Sequence, residues 1–139
     1  MVSELHVGDE VRVRIQSSAD IVTARQEGRS MAATLGFSNT TLTIIATAIS
    51  EVARNIVEYA KEGEIAIAPV GNGTVKGLRI VARDQGPGIV DLETAMRDGY
   101  STSKSLGMGL PGAKRLMDEF EITSAIGEGT TITMRKWIG

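Results

Sequence analysis

The spacing of apolar residues predicts one strand and two helices in the first half of the chain. Residues 11–15 read VRVRI, an alternation that is typical of a strand with one solvated face. Apolar residues then recur at helical spacing from residue 19 to residue 35, and again from residue 42 to residue 56. The chain therefore begins with a strand that is followed by two amphipathic helices.

Capping and turn residues set the expected ends of these helices. Gly36 follows the first apolar stripe and is expected to end that helix. Asn39 or Thr40 can cap the second helix, because short polar side chains accept hydrogen bonds from the first free amides. We expect this helix over residues 40–60, with Gly63 at its end.

Two hairpins are predicted further along the chain. Residues 65–70 (IAIAPV) and 77–84 (GLRIVARD) are expected to be strands, joined by a turn at residues 71–74 (GNGT). The last hairpin is expected over residues 120–137, with its turn at residues 127–129 (GEG). These hairpins supply most of a sheet.

A third helix is predicted between the hairpins. Residues 110–120 read LPGAKRLMDEF, with Pro111 in the first turn, where its missing N–H costs little. The polar segment 85–106 precedes it and is expected to hold one short helix at residues 92–96. The order of elements lacks βαβ alternation and predicts an α+β fold, a two-layer sandwich with helices on one face of a mixed, mostly antiparallel sheet. We expect residues 1–139 to form a single domain.

Composition excludes several kinds of chemistry. The 139 residues include no cysteine, which excludes thiolate zinc sites and cysteine nucleophiles. The one histidine, His6, lies far along the chain from any other candidate group, which argues against a multi-histidine metal site and a Ser-His-Asp triad. The formal net charge of −2 gives no sign of nucleic-acid binding. No apolar run is long enough to span a membrane, and no signal peptide opens the sequence. We therefore expect a cytoplasmic protein with neither nucleic-acid nor membrane partners.

Residues 107–112 (GMGLPG) match the G-x-G-x-x-G fingerprint of dinucleotide-binding folds. That fingerprint requires a strand directly before it and a parallel strand after its helix. Here a polar loop precedes it, and too few residues follow it to build such a fold. The dinucleotide interpretation is therefore rejected, and no P-loop motif is present either.

The same segment can still bind an anion. Gly107 and Gly109 allow the backbone to come close to a ligand, and the amides that open the next helix lack intrahelical partners. Lys104 and several hydroxyl side chains lie just before them. A plain flexible loop that leads into a helix explains the segment equally well.

Glu51 and Asn55 are four residues apart on the second predicted helix, so their side chains share one face. A carboxylate can accept a proton, and an amide oxygen can bind Mg²⁺. The alternative is a solvated face, since Thr47 and Glu58 follow the same polar stripe.

Asp84 ends an apolar strand and is followed by Gly86, Pro87 and Gly88. A carboxylate at this place can accept a hydrogen bond from a ligand amino group, and the two glycines can leave room for a flat ring. A tight turn is the alternative, for which this sequence is also well suited.

Taken in order, these motifs resemble the GHKL superfamily of ATP-binding domains, which includes DNA gyrase and the histidine kinases. EVARN (residues 51–55) is similar to its N box, and DQGPG (residues 84–88) to its first glycine box. GMG (residues 107–109) is similar to its second glycine box, and GEGT (residues 127–130) to its late threonine-bearing turn. The resemblance covers nearly the whole chain and implies the Bergerat ATP-binding fold.

Within this superfamily, the chain looks most like the stand-alone serine/threonine kinases of bacterial partner-switching systems. It has no helical segment with a phospho-acceptor histidine, and Tyr59 stands where many histidine kinases carry an asparagine. The resemblance implies phosphorylation of STAS-domain proteins of a stressosome, followed by binding and activation of a PP2C-type phosphatase. One alternative is an anti-sigma factor that mainly holds a sigma factor. Another is a nucleotide-binding regulator without transfer activity, against which Glu51 argues.

The resemblance also implies roles for individual residues. Asp84 is expected to accept a hydrogen bond from the adenine amino group of ATP, supported by Thr130. Asn55 is expected to coordinate Mg²⁺, and Glu51 to act as the general base.

The remaining expectations concern the phosphates and the ATP lid. Residues 85–106 are expected to form the lid, which is short and has no clear phenylalanine box. Lys104 is expected to add positive charge near the phosphates. The amides that hold the phosphates are expected to belong to Gly107, Met108, Gly109 and Leu110.

Overall fold

The computed structural model describes residues 5–6, 8–88 and 109–138. Their elements are, in chain order, β1 (Leu5–His6), β2 (Val11–Ile15), α1 (Ser18–Leu35), α2 (Asn39–Tyr59), β3 (Gly63–Asn72), β4 (Val75–Asp84), α3 (Gly109–Leu116), β5 (Glu119–Ala125) and β6 (Gly129–Trp137). This order confirms the predicted one and adds the two-residue strand β1. The short helix expected at residues 92–96 lies outside the described residues.

The sheet has six strands, and β3, β4, β6 and β5 follow one another across it. β1 and β2 both pair with the edge of β3 that faces away from β4. β2 pairs with the first half of β3 and β1 with its second half. Each of the five pairings between described strands is antiparallel. The predicted α+β class is confirmed, and no parallel pair occurs within this part of the chain.

The helices cover one face of the sheet. Side chains alternate across a strand, so each strand contributes every second residue to that face. The strand residues in the core include Val13, Ile15, Ile65, Ile67, Leu78, Ile80, Ala82, Ile132 and Met134. The opposite face carries ion pairs, including Arg12 with Glu64 at 3.4 Å and Arg135 with Glu119 at 3.4 Å. This difference between the faces places the core between the sheet and the helices.

The ends of α1 and α2 depend on specific backbone hydrogen bonds. α1 is capped by Gly36, whose N–H donates to the oxygens of Ala32 and Ala33 and whose positive φ of 103° turns the chain so that the N–H of Phe37 also donates to Ala32. The prediction for the cap of α2 was wrong by one or two residues, because Ser38 is the cap and its side chain accepts from the N–H of Thr41. No helix in the described ranges has both the length and the apolar character needed to cross a bilayer.

The far end of α2 also differs from the expectation. α2 ends at Tyr59, and Lys61 has a positive φ of 72° that reverses the chain. Gly63 therefore begins β3 instead of ending the helix.

Gly28 lies in the middle of α1, at the contact with α2. A Cβ atom added there would lie 2.1 Å from Cδ1 of Ile49, whose side chain is fully buried. Any larger residue must therefore displace a core side chain or separate the helices.

We predict that Gly28→Leu lowers the free energy of unfolding by about 2 kcal/mol or more, because overpacking a core forces side chains out of their preferred rotamers. The measurement is chemical denaturation followed by circular dichroism. Ala33→Leu is the matched control, since Ala33 is exposed on the same helix and should change stability by less than about 0.5 kcal/mol. Equal stability of the two variants would contradict the close approach of α1 and α2.

Candidate nucleotide site

Asp84 is the last residue of β4 and lies on the same face of the sheet as the core. Its exposed fraction is 8%, which is low for a carboxylate. Oδ1 accepts hydrogen bonds from the N–H groups of Gly86, at 2.9 Å, and Thr130, at 3.3 Å. Among the described residues both bonds to this carboxylate end on Oδ1, so its Oδ2 is the oxygen that can accept from a further donor.

Thr130 pairs with Asp84 across β4 and β6, and with Ser124 across β6 and β5. The hydroxyl oxygens of Ser124 and Thr130 are 2.8 Å apart, and Ser124 also donates to the oxygen of Gly129 at 3.2 Å. Ser124 has one hydroxyl proton, so when it donates to Gly129, Thr130 must donate to Ser124. Oγ1 of Thr130 then keeps its remaining lone pairs for a water or a ligand donor.

Sequence reasoning missed Ser124 as part of this site. The signal was the register of the last hairpin. A turn at residues 126–128 places Ser124 opposite Thr130, whereas the turn predicted at residues 127–129 was one residue late and would place Ile126 there. Three adjacent strands therefore each contribute one polar side chain: Asp84, Thr130 and Ser124.

The glycines after Asp84 are needed for contact between backbone segments. A Cβ on Gly86 would lie 2.6 Å from Cβ of Ala60, and a Cβ on Gly88 would lie 2.3 Å from the oxygen of Ala125. The N–H of Gly127 also donates to the oxygen of Pro87 at 2.9 Å. The direction in which a Cβ would point from Gly86 and from Gly88 is thus occupied by the protein itself, so these glycines allow the loop after β4 to pack against Ala60 and Ala125.

Gly129 makes the closest of these approaches. A Cβ added there would lie 2.1 Å from the oxygen of Asp84, and its φ of 90° also favours glycine. The last hairpin therefore contacts the end of β4 through backbone atoms.

Glu51 and Asn55 both lie on α2. Glu51 is buried, with 4% of its surface exposed, Asn55 is half-buried and Glu58 is exposed. The solvated-face alternative is therefore wrong for Glu51 and correct for Glu58. Oε1 of Glu51 lies 3.5 Å from Nη1 of Arg54, one turn further along the helix.

The same helix contacts the end of β4. A Cβ on Gly63 would lie 2.9 Å from Cγ2 of Ile56 and 3.1 Å from Cβ of Asp84. Ile56 therefore lies beside the end of β4 where Asp84 is found, and Asn55 directly precedes Ile56 in α2.

Helix α3 packs against α2 and begins at Gly109, which has a φ of 70°. Leu110 and Ala113 are buried in the core, which fixes the start of the helix against the rest of the fold. The first-turn amides of a helix lack intrahelical partners and can bind an anion. Three residues expected at the phosphates, Lys104, Gly107 and Met108, lie outside the described residues, as does the expected lid beyond Gly88.

A separate cleft of about 440 Å³ lies at the opposite end of β6 from Thr130. Its walls come from the α1–α2 connection and from residues around the end of β6: Gly36, Phe37, Ser38, Thr41, Asp118, Lys136, Trp137 and Ile138. Because none of the site residues predicted from the sequence lines it, this cleft is distinct from the candidate site.

Comparison with known proteins confirms the predicted family. Residues 16–136 match the model of the histidine kinase-like ATPase domain. The chain is 54% identical to the serine/threonine-protein kinase RsbT of Bacillus subtilis (strain 168), over 95% of this chain and 99% of the relative. It is also 35% identical to the anti-sigma F factor of Thermoanaerobacter sp. (strain X514), over 68% of this chain and 69% of that protein.

The fold is shared with a solved structure, that of the RsbU and RsbW domains of a Mycobacterium tuberculosis protein. The TM-score is 0.66, at 21% identity over 95% of this chain and 34% of that one, a likeness that shows the fold alone. These comparisons confirm the predicted fold and the predicted group of kinases. The chain belongs to the histidine kinase-like ATPase family, in the branch that contains the serine/threonine-protein kinase RsbT and the anti-sigma F factors.

Proposed function

We propose that this chain transfers the γ-phosphate of ATP to a serine or threonine of a STAS-domain partner, and that it then binds and activates a PP2C-type phosphatase. The observation that carries the proposal is the buried carboxylate of Glu51, in a chain that is 54% identical to RsbT over nearly its full length. A protein that only binds nucleotide has no need of a buried carboxylate at this place.

Asp84 and Thr130 provide the proposed adenine contact. Oδ2 of Asp84 accepts a hydrogen bond from the adenine amino group, while its Oδ1 is held by the N–H groups of Gly86 and Thr130. The Thr130 hydroxyl, held by Ser124, supports this contact directly or through a water. A site built in this way discriminates against a base that presents an acceptor where adenine presents its amino group.

The phosphates are proposed to lie between α2 and the start of α3. The amides of residues 107–110 hold them, and Lys104 adds positive charge. Asn55 fits a role in holding Mg²⁺, because its half-buried side chain offers a hard oxygen one turn from Glu51 and the ATP phosphates supply further oxygens. A magnesium ion bound there neutralises negative charge on the phosphates.

Glu51 is proposed to be the general base. Its carboxylate accepts the proton of the acceptor hydroxyl while that oxygen bonds to the γ-phosphorus. The bond from the γ-phosphorus to the bridging oxygen breaks, and ADP leaves with the electron pair. Such a base typically contributes ~10²–10⁴-fold to the rate, and positioning of the phosphates supplies much of the rest.

The second candidate function is an anti-sigma factor whose main act is to bind a sigma factor. The 35% identity to an anti-sigma F factor over 100 residues favours it. The match to RsbT is higher and covers more of the chain, which is why the kinase is preferred.

The first prediction concerns phosphate transfer itself. We expect the protein to label a STAS-domain protein cloned from the same organism when it is incubated with γ-labelled ATP and Mg²⁺, and we expect EDTA to abolish the label. The measurement is autoradiography, with phosphoamino-acid analysis to identify serine or threonine. If no STAS protein is labelled under conditions in which ATP binds, the kinase proposal fails.

A pull-down separates the two candidate functions. The purified chain should capture the STAS-domain protein and the regulatory domain of a PP2C-type phosphatase. Capture of a sigma factor alone would favour the anti-sigma function instead.

Asp84→Asn is expected to weaken ATP binding about 10- to 100-fold. The amide keeps the oxygen that accepts from Gly86 and Thr130, but it presents N–H groups to the adenine amino group, and an unpaired buried donor costs about 1–3 kcal/mol. Titration calorimetry measures the change. Asp118→Asn is the matched control at the other end of the sheet, and ATP affinity should be unchanged in it. Unchanged affinity in Asp84→Asn would mean that adenine binds elsewhere.

Glu51→Ala is expected to lower the rate of phosphate transfer by ~10²–10⁴-fold while ATP affinity stays within about threefold of the wild-type value, because a general base acts on the acceptor hydroxyl and not on the nucleotide. Glu58→Ala, at an exposed position on the same helix, should transfer at the normal rate. Loss of both binding and transfer in Glu51→Ala would point to a structural role for the carboxylate.

A further inference from the structure

We propose that Arg54 is a positioning residue for this reaction, which orients the Glu51 carboxylate toward the acceptor hydroxyl without contacting ATP itself. The inference rests on the proposed role of Glu51 as general base. It gives a function to a residue that sequence reasoning treated only as part of the stretch EVARN.

Glu51 is buried, with only 3% of its side chain exposed. A buried carboxylate loses its hydration and needs nearby positive or hydrogen-bonding groups. The Arg54 guanidinium lies one turn away on the same helix face and provides a positive charge at 3.5 Å. Within the described ranges, Glu51 is the one ion-pair partner of Arg54.

The length of this contact matters for catalysis. A charge-assisted hydrogen bond between a guanidinium and a carboxylate measures about 2.7–2.9 Å. At 3.5 Å the arginine restrains the carboxylate without a short bond to its lone pairs. The guanidinium therefore limits the orientation of the carboxylate without itself competing strongly for its lone pairs.

The side chain of Arg54 is 33% exposed, so its guanidinium reaches from the buried carboxylate toward solvent. Arg54 also directly precedes Asn55, the proposed magnesium ligand. This position raises a competing role, in which the arginine contacts the phosphates directly. The two roles predict different kinetics, because direct contact changes the KM for ATP whereas orientation of the base changes kcat.

The test compares Arg54→Gln and Arg54→Lys with the wild-type protein, in steady-state transfer to the STAS-domain protein that the wild type labels. We expect Arg54→Gln to lower kcat about tenfold and to leave the KM for ATP within about twofold. Arg54→Lys should recover kcat to within about threefold, because a single charge contact of this length does not need the bidentate geometry of arginine. Arg12→Gln, which removes an exposed guanidinium from the outer face of the sheet, is the matched control and should behave like the wild type.

A double mutant tests whether Arg54 acts through Glu51. In a Glu51→Gln background, the further change Arg54→Gln should not lower the residual transfer rate, since the group it orients is already gone. If the second change lowers that rate by the same factor as in the wild type, the inference is overturned. A raised KM for ATP at unchanged kcat would also overturn it.

The outcomes distinguish this inference from the proposed function. If Glu51→Gln transfers at the wild-type rate, the assignment of the base is wrong. If Glu51→Gln is inactive while Arg54→Gln matches the wild type, the role of Arg54 alone is wrong. Thermal unfolding of each variant shows whether a lost rate reflects a lost fold, and Arg54→Lys keeps the charge if Arg54→Gln does not fold.

Discussion

One oxygen atom joins three segments that are far apart in the sequence. Oδ1 of Asp84 accepts from the N–H of Gly86, in the loop after β4, and from the N–H of Thr130, at the start of the last strand. An unpaired carboxylate at this depth would be costly, so the two N–H groups and the carboxylate stabilise one another. This arrangement sets the geometry at the end of β4 and the direction in which the other carboxylate oxygen, Oδ2, faces.

The site continues the hydrophobic core along the sheet. On β4 and β6, Ile80 lies opposite Met134 and Ala82 opposite Ile132, and both pairs lie in the core. The next pair in the same row is Asp84 with Thr130. A flat aromatic base suits such a place, since its ring can contact apolar residues while its edge reaches polar groups.

The sequence predicted the elements well because their hydrophobic periods are clear, and it failed where short-range hydrogen bonds decide the outcome. The cap of α2 was placed one or two residues late because Ser38, Asn39 and Thr40 are all good capping residues, and their order in sequence does not show which side chain reaches a free amide. A strand of two residues, such as β1, has no period to detect.

The candidate site was predicted only in part, for a physical reason. A helix period shows which residues share a face, but it does not show which neighbouring element covers that face. Glu51 and Glu58 follow the same polar stripe, yet one is buried and the other is exposed. Ser124 was missed because its place in the site comes from its contact with Thr130, and the role proposed for Arg54 likewise depends on its contact with Glu51.

The hydrogen bond from Gly127 to Pro87 has a consequence for how such proteins diversify. It joins the tip of the last hairpin to the loop after Asp84 using backbone atoms alone, so it constrains no side chain at residues 126 and 128. Ile126 and Glu128 are both exposed at this tip, with 74% of the isoleucine surface exposed. Mutations can therefore alter the outer surface of this turn while the backbone beside the carboxylate stays the same. Surface recognition and nucleotide chemistry can thus evolve separately in neighbouring parts of the fold.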